Sequence, residues 1–227
     1  MSASTPPNLR VERGLLRSGV TALACVDEAG RGALCGPATV GMVVVTTATK
    51  TAPHGIRDSK LLSAQVRESL VPLIHEWAAA HAVGHASPAE IDELGIVPAL
   101  RLAGHRALAA LLVIPDAILL DGSHDYLTPP GQPSLFDEPV AIAATPPVVT
   151  MVKADLRCAA VAAASILAKT ARDAILIELS AAHPEYGWHE NKGYGAREHL
   201  DAIARLGPTE HHRVSWRLPE RLAEDAG

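Results

Sequence analysis

Three short apolar runs in this chain each lead directly into acidic residues. Residues 21–26 (TALACV) run into Asp27 and Glu28, residues 117–120 (AILL) into Asp121, and residues 148–152 (VVTMV) are followed by Lys153, Ala154 and Asp155. Apolar runs this short, bounded by Gly- and Pro-containing sequence, predict buried strands. One acidic residue after a strand commonly opens a turn. Its repetition over three buried strands points to a shared site, because in open α/β sheets ligands bind at the carboxyl ends of the strands. Carboxylates gathered there repel one another and hold protons until a cation neutralises them. Several hard oxygen donors suit Mg2+ or Mn2+. Two such ions about 3.5–4 Å apart would activate water and stabilise the leaving oxygen of a phosphodiester.

The rest of the chain predicts what surrounds those strands. Residues 38–47 (ATVGMVVVTT) are β-branched and read as a further strand, with residues 81–85 as another. Helical periodicity covers residues 63–80, with Ser63 placed as a cap, and residues 87–112, opened by a Ser-Pro-Ala-Glu capping box and broken near Pro98. Residues 158–179, Ala-rich and free of Gly and Pro, give the strongest helical signal; short helices are expected around Glu198 and Leu218. Residues 123–147, rich in Pro and Gly, predict a long exposed loop. The fold class that follows is α/β, a mixed sheet with helices on both faces. At 227 residues, one domain is expected. Its expected parts are a flexible N-terminal tail over 1–15, a main domain with a C-terminal helical extension over 16–217, and a C-terminal tail over 218–227.

Net charge is −5, so the chain is no general polyanion-coating protein, and any nucleic-acid contact must be local. Cys25, Cys35 and Cys158 form no C-x-x-C pair and are odd in number, which points to a reducing compartment rather than a disulfide framework. The first residues carry no apolar signal-like core and no run is long enough to span a bilayer. A cytoplasmic location and no membrane partner are therefore expected. H-E-x-x-H, zinc-type Cys/His spacing, the G-x-S-x-G elbow and the Walker A sequence are all absent. Residues 30–36 (GRGALCG) follow a strand but precede β-branched sequence rather than a helix, so the context of a dinucleotide-binding turn is missing.

The blocks VDEAGRGALCGP (26–37), RDSKLLS (57–63), LLDG (119–122), KADLRCAAVAAASILAKTARD (153–173), NKGYGAREHL (191–200) and GPTEHHRVSW (207–216) resemble, in order, those of the ribonuclease HII family. The resemblance covers most of the chain. It implies an RNase H-like fold, a mixed five-stranded sheet flanked by helices with a helical C-terminal extension. It also implies a divalent-metal endonuclease acting on RNA–DNA hybrids and 5′ to single ribonucleotides in duplex DNA, leaving 3′-hydroxyl and 5′-phosphate ends. The family's four acidic positions fall on Asp27, Glu28, Asp121 and Asp155. Its ribose-reading Gly-Arg-Gly falls on Gly30, Arg31 and Gly32, and the tyrosine beneath the ribonucleotide on Tyr194. Glycines let backbone groups approach a sugar closely, the 2′-OH is what separates RNA from DNA, and tyrosine offers a flat apolar face with one polar tip. Lys60, Lys169, Arg172, Lys192 and Arg213 are the candidate phosphate contacts, while Asp173 reads as structural pairing within its helix. The chain departs from the family pattern at Ala33, where Pro is usual, at Val214, where a basic residue is frequent, and in a longer linker after Asp121.

Inside that linker, Gln132-Pro133-Ser134-Leu135-Phe136 displays the chain's single phenylalanine in a polar setting. The string is similar to the Q-x-x-L-F peptides by which bacterial replication and repair proteins dock on the DNA sliding clamp, with Gln132, Leu135 and Phe136 as the anchors. The alternative is that Leu135 and Phe136 pack on their own core. Two rival functions share the acidic site: a carboxylate nuclease acting on DNA alone, which has no use for a ribose-reading loop, and a non-catalytic hybrid-binding module, which has no use for all four acidic residues.

Overall fold

The computed structural model describes residues 6–130 and 145–220. Five strands form one mixed sheet in the order β3-β2-β1-β4-β5: β1 (Ala22–Ala29), β2 (Ala38–Thr46), β3 (Ala80–Ala86), β4 (Ala117–Asp121) and β5 (Val148–Met151). β2 is antiparallel to both β1 and β3, and β4 is parallel to both β1 and β5. Expected and observed strands agree closely in position, but β5, expected to be buried, lies at the sheet edge with Val149 exposed, and β1 differs in a consequential way. β1 continues through Asp27 and Glu28 to Ala29, held by pairing with β2 as far as Thr39. On its other side β1 has β4 for a neighbour only from Leu23 to Val26. The sheet thus opens between β1 and β4 where Asp27 begins, which leaves room for a ligand at the strand ends.

Side chains alternate across the sheet. Leu23, Cys25 and Leu119 pack with α1 (Arg10–Arg17), α2 (Ala64–Trp77) and α5 (Ala159–Ala182) on one face. Ala24, Val26, Ile118 and Leu120 pack with α4 (Ile96–Ala110) on the other. With aromatics at only 3%, alanine does much of the filling, and every residue from Ala159 to Ala168 of α5 is buried. Small side chains let that helix approach the sheet closely. A Cβ on Gly41, the β2 residue opposite Asp27, would run into the carbonyl of Ala164.

The helix signals also hold. Ser63 accepts the Val66 N–H at the start of α2, and Ser87 with Glu90 forms the capping box of α3 (Pro88–Leu94). The break before α4 falls at Gly95 (φ 81°) rather than at Pro98. Pro98 sits in the first turn of α4, where a missing N–H forfeits no intrahelical bond.

Three expectations are corrected. The stretch 1–15, expected as a flexible tail, contains most of α1, whose Glu12 and Leu16 are buried beside Leu9. Glu12 Oε1 accepts the Ala160 N–H at 2.9 Å, so a side chain of α1 caps the N-terminus of α5. The helix expected around Leu218 is absent as far as the described residues reach, because Leu218 precedes Pro219 and a residue before proline disfavours the helical region. The C-terminal extension instead consists of α6 (Trp188–Asn191) and α7 (Arg197–Leu206). Residues 123–130 are not wholly exposed, since Tyr126 and Leu127 are buried. Gln132, Leu135 and Phe136 lie outside the described residues. The three cysteines are buried and free. Among the described residues no helix is long and apolar enough to cross a membrane.

Candidate active site

Strand alternation decides which carboxylates meet. Asp27 shares parity with Leu23 and Cys25 and faces α5; Asp121 shares parity with Leu119 and faces the same way. Asp155 arrives from a single helical turn, Ala154–Leu156, after Lys153 reverses the chain in the left-handed region (φ 56°). Oxygen atoms of Asp27, Asp121 and Asp155 all lie within 4.8 Å of one another. Asp121 Oδ1 accepts the Ala154 N–H at 2.6 Å, tying the end of β4 to the turn that carries Asp155.

Glu28, one residue along β1, turns toward the other face and stands outside that group of three. Its carboxylate receives Arg31 at 3.5 Å and the Tyr126 hydroxyl at 3.3 Å. Burial raises its pKa, against the lowering influence of Arg31 and Tyr126, and Asp121 raises it further. Tyr126 escaped the sequence reading. Its signal was a Tyr-Leu pair in an otherwise polar loop five residues past Asp121.

The electrostatics fit a cation. Burial above all pushes Asp27 up to about 8; the Ser165 hydroxyl works against this, while Glu28 and Asp121 add to it. Burial also brings Asp155 to about 6, helped by Asp121 and Asp58 and opposed by Lys60. Burial disfavours the charge on Lys60, yet Asp58, Asp27, Asp155 and Asp121 together outweigh it and its pKa is raised. Lys60 is therefore the expected basic residue that the fold does bring to the carboxylates. Oxygen-only donors with surplus negative charge, at an open sheet corner, make a donor set for a hard divalent ion.

The Gly30–Gly32 loop lies immediately beyond β1. Gly30 adopts φ 82°, and a Cβ there would meet the Arg172 side chain. Here two expectations are corrected. Arg172 and Arg213, expected to contact phosphate, are fully buried. Arg213 donates to the carbonyls of Gly30 (2.7 Å), Arg31 (3.0 Å) and Gly36 (3.0 Å). Arg172 donates to those of Pro37 (2.9 Å), Lys192 (2.9 Å) and Cys35 (2.8 Å). A buried guanidinium needs hydrogen-bond partners, and here every guanidinium nitrogen finds a backbone oxygen. Both arginines thus hold the loop from behind. Arg31 remains exposed, held only by its 3.5 Å pairing with Glu28, and can reach a ligand.

Tyr194 is brought to the same place. The Gly193 carbonyl accepts from Leu34 N (2.8 Å) and Cys35 N (3.1 Å), stitching its turn to the residues after Gly32. The Tyr194 ring is 37% exposed, with Lys169 Nζ at 5.5 Å and the Arg172 guanidinium at 5.2 Å from its centroid. Lys169 also pairs with Asp173 at 2.6 Å, and Asp173 accepts from Arg67 at 3.1 Å, so Asp173 is structural as expected. Lys192 is half-buried, and its ammonium donates to the His189 carbonyl.

Two histidines missed by the sequence reading position this turn. His199 Nδ1 bonds the Tyr194 carbonyl at 2.8 Å, so Nδ1 carries the proton and Nε2 accepts from Trp188 Nε1 at 3.0 Å. His212 Nδ1 accepts the Thr209 N–H at 2.9 Å, which leaves its Nε2 to donate to His199 Nε2 at 3.1 Å. Both rings are then neutral; burial, followed by the neighbouring His199, lowers His212 to about 4.

Comparison with known proteins points in one direction. The family model for ribonuclease HII matches residues 24–218. A ribonuclease HII of Streptomyces avermitilis is 44% identical over 220 residues, covering 96% of this chain and 87% of its own length. One of Cereibacter sphaeroides is 43% identical over 213 residues, covering 94% and 92%. Among solved structures, ribonuclease H2 from Pyrococcus horikoshii OT3 matches with a TM-score of 0.64 at 26% identity, over 86% of this chain and 94% of that one. A chain of the PCNA:RNase HII complex from Archaeoglobus fulgidus matches at 0.63 and 24% identity, over 88% and 97%, which bears on the fold alone.

Proposed function

Because this chain belongs to the ribonuclease HII family, we propose that it is an endonuclease that hydrolyses the RNA strand of RNA–DNA hybrids and incises 5′ to single ribonucleotides in duplex DNA. The observation that carries the chemistry is the meeting of Asp27, Asp121 and Asp155 within 4.8 Å at an open sheet corner. These three would hold Mg2+ or Mn2+, and Glu28, on the opposite side of β1 but near enough for Asp121 to raise its pKa, would complete the set from that side. Bound there, two such ions supply an activated water and offset charge on the leaving oxygen.

The remaining residues bind and orient. Lys60, charged and beside the carboxylates, offsets charge on the phosphate to be cut. Gly30, Arg31 and Gly32 present backbone groups and one exposed guanidinium to the ribose and its 2′-OH. Tyr194 lays its exposed face against the sugar. Breaking the phosphorus bond to the 3′ oxygen preceding the ribonucleotide leaves a 3′-hydroxyl and a 5′-phosphate. A cytoplasmic location belongs to the same proposal, supported by three buried free thiols. Docking of Gln132, Leu135 and Phe136 on the DNA sliding clamp is proposed on their sequence alone.

The deciding experiment is cleavage of a DNA duplex carrying one ribonucleotide, with Mg2+ or Mn2+, beside an all-DNA duplex. A single incision 5′ to the ribonucleotide, abolished by a chelator, is the expected result. Equal cutting of both duplexes would reassign the chain to DNA-only nucleases, and no cutting of either would leave a binding module.

A further inference from the structure

α1 and residues 51–57 enclose a cleft of about 470 Å³, separate from the carboxylates, whose lining includes Arg10, Arg13, Arg17 and Arg57 with Pro7 and Pro53. Spacing of three and four residues puts the α1 arginines on one helix face, beside the face that buries Glu12 and Leu16. All four arginines are exposed, and none joins an ion pair among the described residues. Among the described residues no carboxylate lines the cleft. Glu12 is turned inward to cap α5, and Asp58 is buried and accepts the Lys60 N–H at 3.0 Å. In a chain of net charge −5, this is a local concentration of positive charge. Like charges held around one cleft raise one another's energy, and an anion seated among them relieves it.

Both walls of the cleft are tied to the active site. Asn8, just before α1, donates its N–H to the Arg157 carbonyl at 3.1 Å and accepts the Ala159 N–H at 3.1 Å, close after Asp155. The other wall ends at Arg57, three residues before Lys60, a reach of at most about 11 Å along the chain. A polyanion engaged at Lys60 and the carboxylates therefore has its neighbouring phosphates within range of this cleft.

We propose that the cleft is a second backbone-phosphate site, gripping one arm of the substrate duplex to one side of the cut. This rests on the proposed action on duplexes. Guanidinium groups suit phosphate oxygens through paired N–H donors, and such contacts set register without reading sequence. The grip also gives an acidic protein a local means of holding a polyanion.

The test compares the native chain with Arg10→Gln/Arg13→Gln/Arg57→Gln, all exposed positions, after matching melting curves establish folding. Binding of a ribonucleotide-containing duplex is measured with Ca2+ over a salt series, and duplex integrity is checked on a gel. Loss of three phosphate contacts should flatten the slope of log affinity against log salt by about 2.7. Between about 50 and 200 mM salt the native chain should then lose about 40-fold more affinity than the variant. Shortening one arm of the duplex should erase the difference, and shortening the other should not.

Equal slopes would overturn the proposal. So would a difference that survives trimming of either arm, since that is a long-range charge effect. A 5′-mononucleotide bound by the native chain and lost in the variant, with duplex slopes unchanged, would assign the cleft to a free nucleotide instead. Cleavage by the native chain is followed in parallel. Cutting with equal slopes strikes the cleft and spares the nuclease reading; no cutting with unequal slopes does the reverse.

Discussion

Replacing Asp27 by asparagine should stabilise the metal-free protein while abolishing its activity. An asparagine keeps the size of the side chain and an oxygen to accept the Glu28 N–H, which Asp27 Oδ1 now receives at 2.8 Å. What it removes is a charge. Asp27 holds its proton in the folded chain up to about 8, against an ordinary value of 3.8. A raised carboxylate pKa means the folded state binds the proton more tightly than the unfolded one. Its destabilising effect is absent below the unfolded value, grows through the interval, and is complete above the folded value. A shift of about four pKa units corresponds to about 5 kcal/mol near pH 8. Asp27 is only 5% exposed, so solvent screens little of this. For a chain of this size that amounts to a melting temperature higher by about 10–20 °C.

The assay is thermal melting in a chelator, from about pH 5 to about pH 9, repeated with Mn2+. In the chelator, the gap between variant and native protein should widen as pH rises. With Mn2+ the native protein gains by mass action, about 2.7 kcal/mol at a hundredfold excess over Kd, and the variant gains far less, so the gap narrows. A variant that melts at or below the native temperature in chelator near pH 8 would refute the reasoning. A gap indifferent to pH would do the same, because the cost would then not be that of a buried charge.

Asp121→Asn should retain the fold, since an amide oxygen can still accept the Ala154 N–H, and should lose more than about 100-fold in single-turnover cleavage; near-native turnover would remove Asp121 from the site. Tyr126→Phe deletes the 3.3 Å bond to Glu28, worth about 1 kcal/mol, and should weaken Mn2+ binding by about fivefold in a calorimetric titration; an unchanged Kd would make Tyr126 a packing residue only. Gly41→Ala forces a Cβ against the Ala164 carbonyl and should cost about 1–3 kcal/mol in urea unfolding; a neutral outcome would mean α5 can shift off the sheet freely. Leu135→Ala/Phe136→Ala should abolish binding to an immobilised bacterial sliding clamp without altering cleavage of a short duplex, and retained binding would end the docking proposal.

Much of this fold was legible because its local signals agree with one another. Alternating and continuous apolar runs marked the strands, Ser63 and the Ser87–Glu90 box marked helix starts, and the Ala-rich stretch after Cys158 marked α5. What was not legible depends on distant partners. The helix α1 holds few apolar residues and would be marginal alone. It is fixed by Leu9 and Leu16 in the core and by a cap that Glu12 supplies to a helix 148 residues away. Gly95 rather than Pro98 ended the first helical piece for a positional reason, that proline is harmless in a first turn.

The candidate site shows the same division more sharply. A basic residue in a functional motif can touch the ligand or hold the loop that does, and the residue type is the same in both cases. Arg172 and Arg213 hold the loop, because six backbone carbonyls converge on two guanidinium groups that no solvent reaches. Only tertiary burial separates that role from the one left to Arg31 and Lys60. The different side from which Glu28 approaches, by contrast, could have been read without a structure. Asp27 and Glu28 are neighbours on a strand that continues through both, and neighbours on a strand face opposite ways. Ending β1 at Val26 hid that consequence. Extending it by three residues, on the strength of the β-branched partner that pairs with it, places Asp27 with Asp121 under α5 and leaves Glu28 to Arg31 and Tyr126.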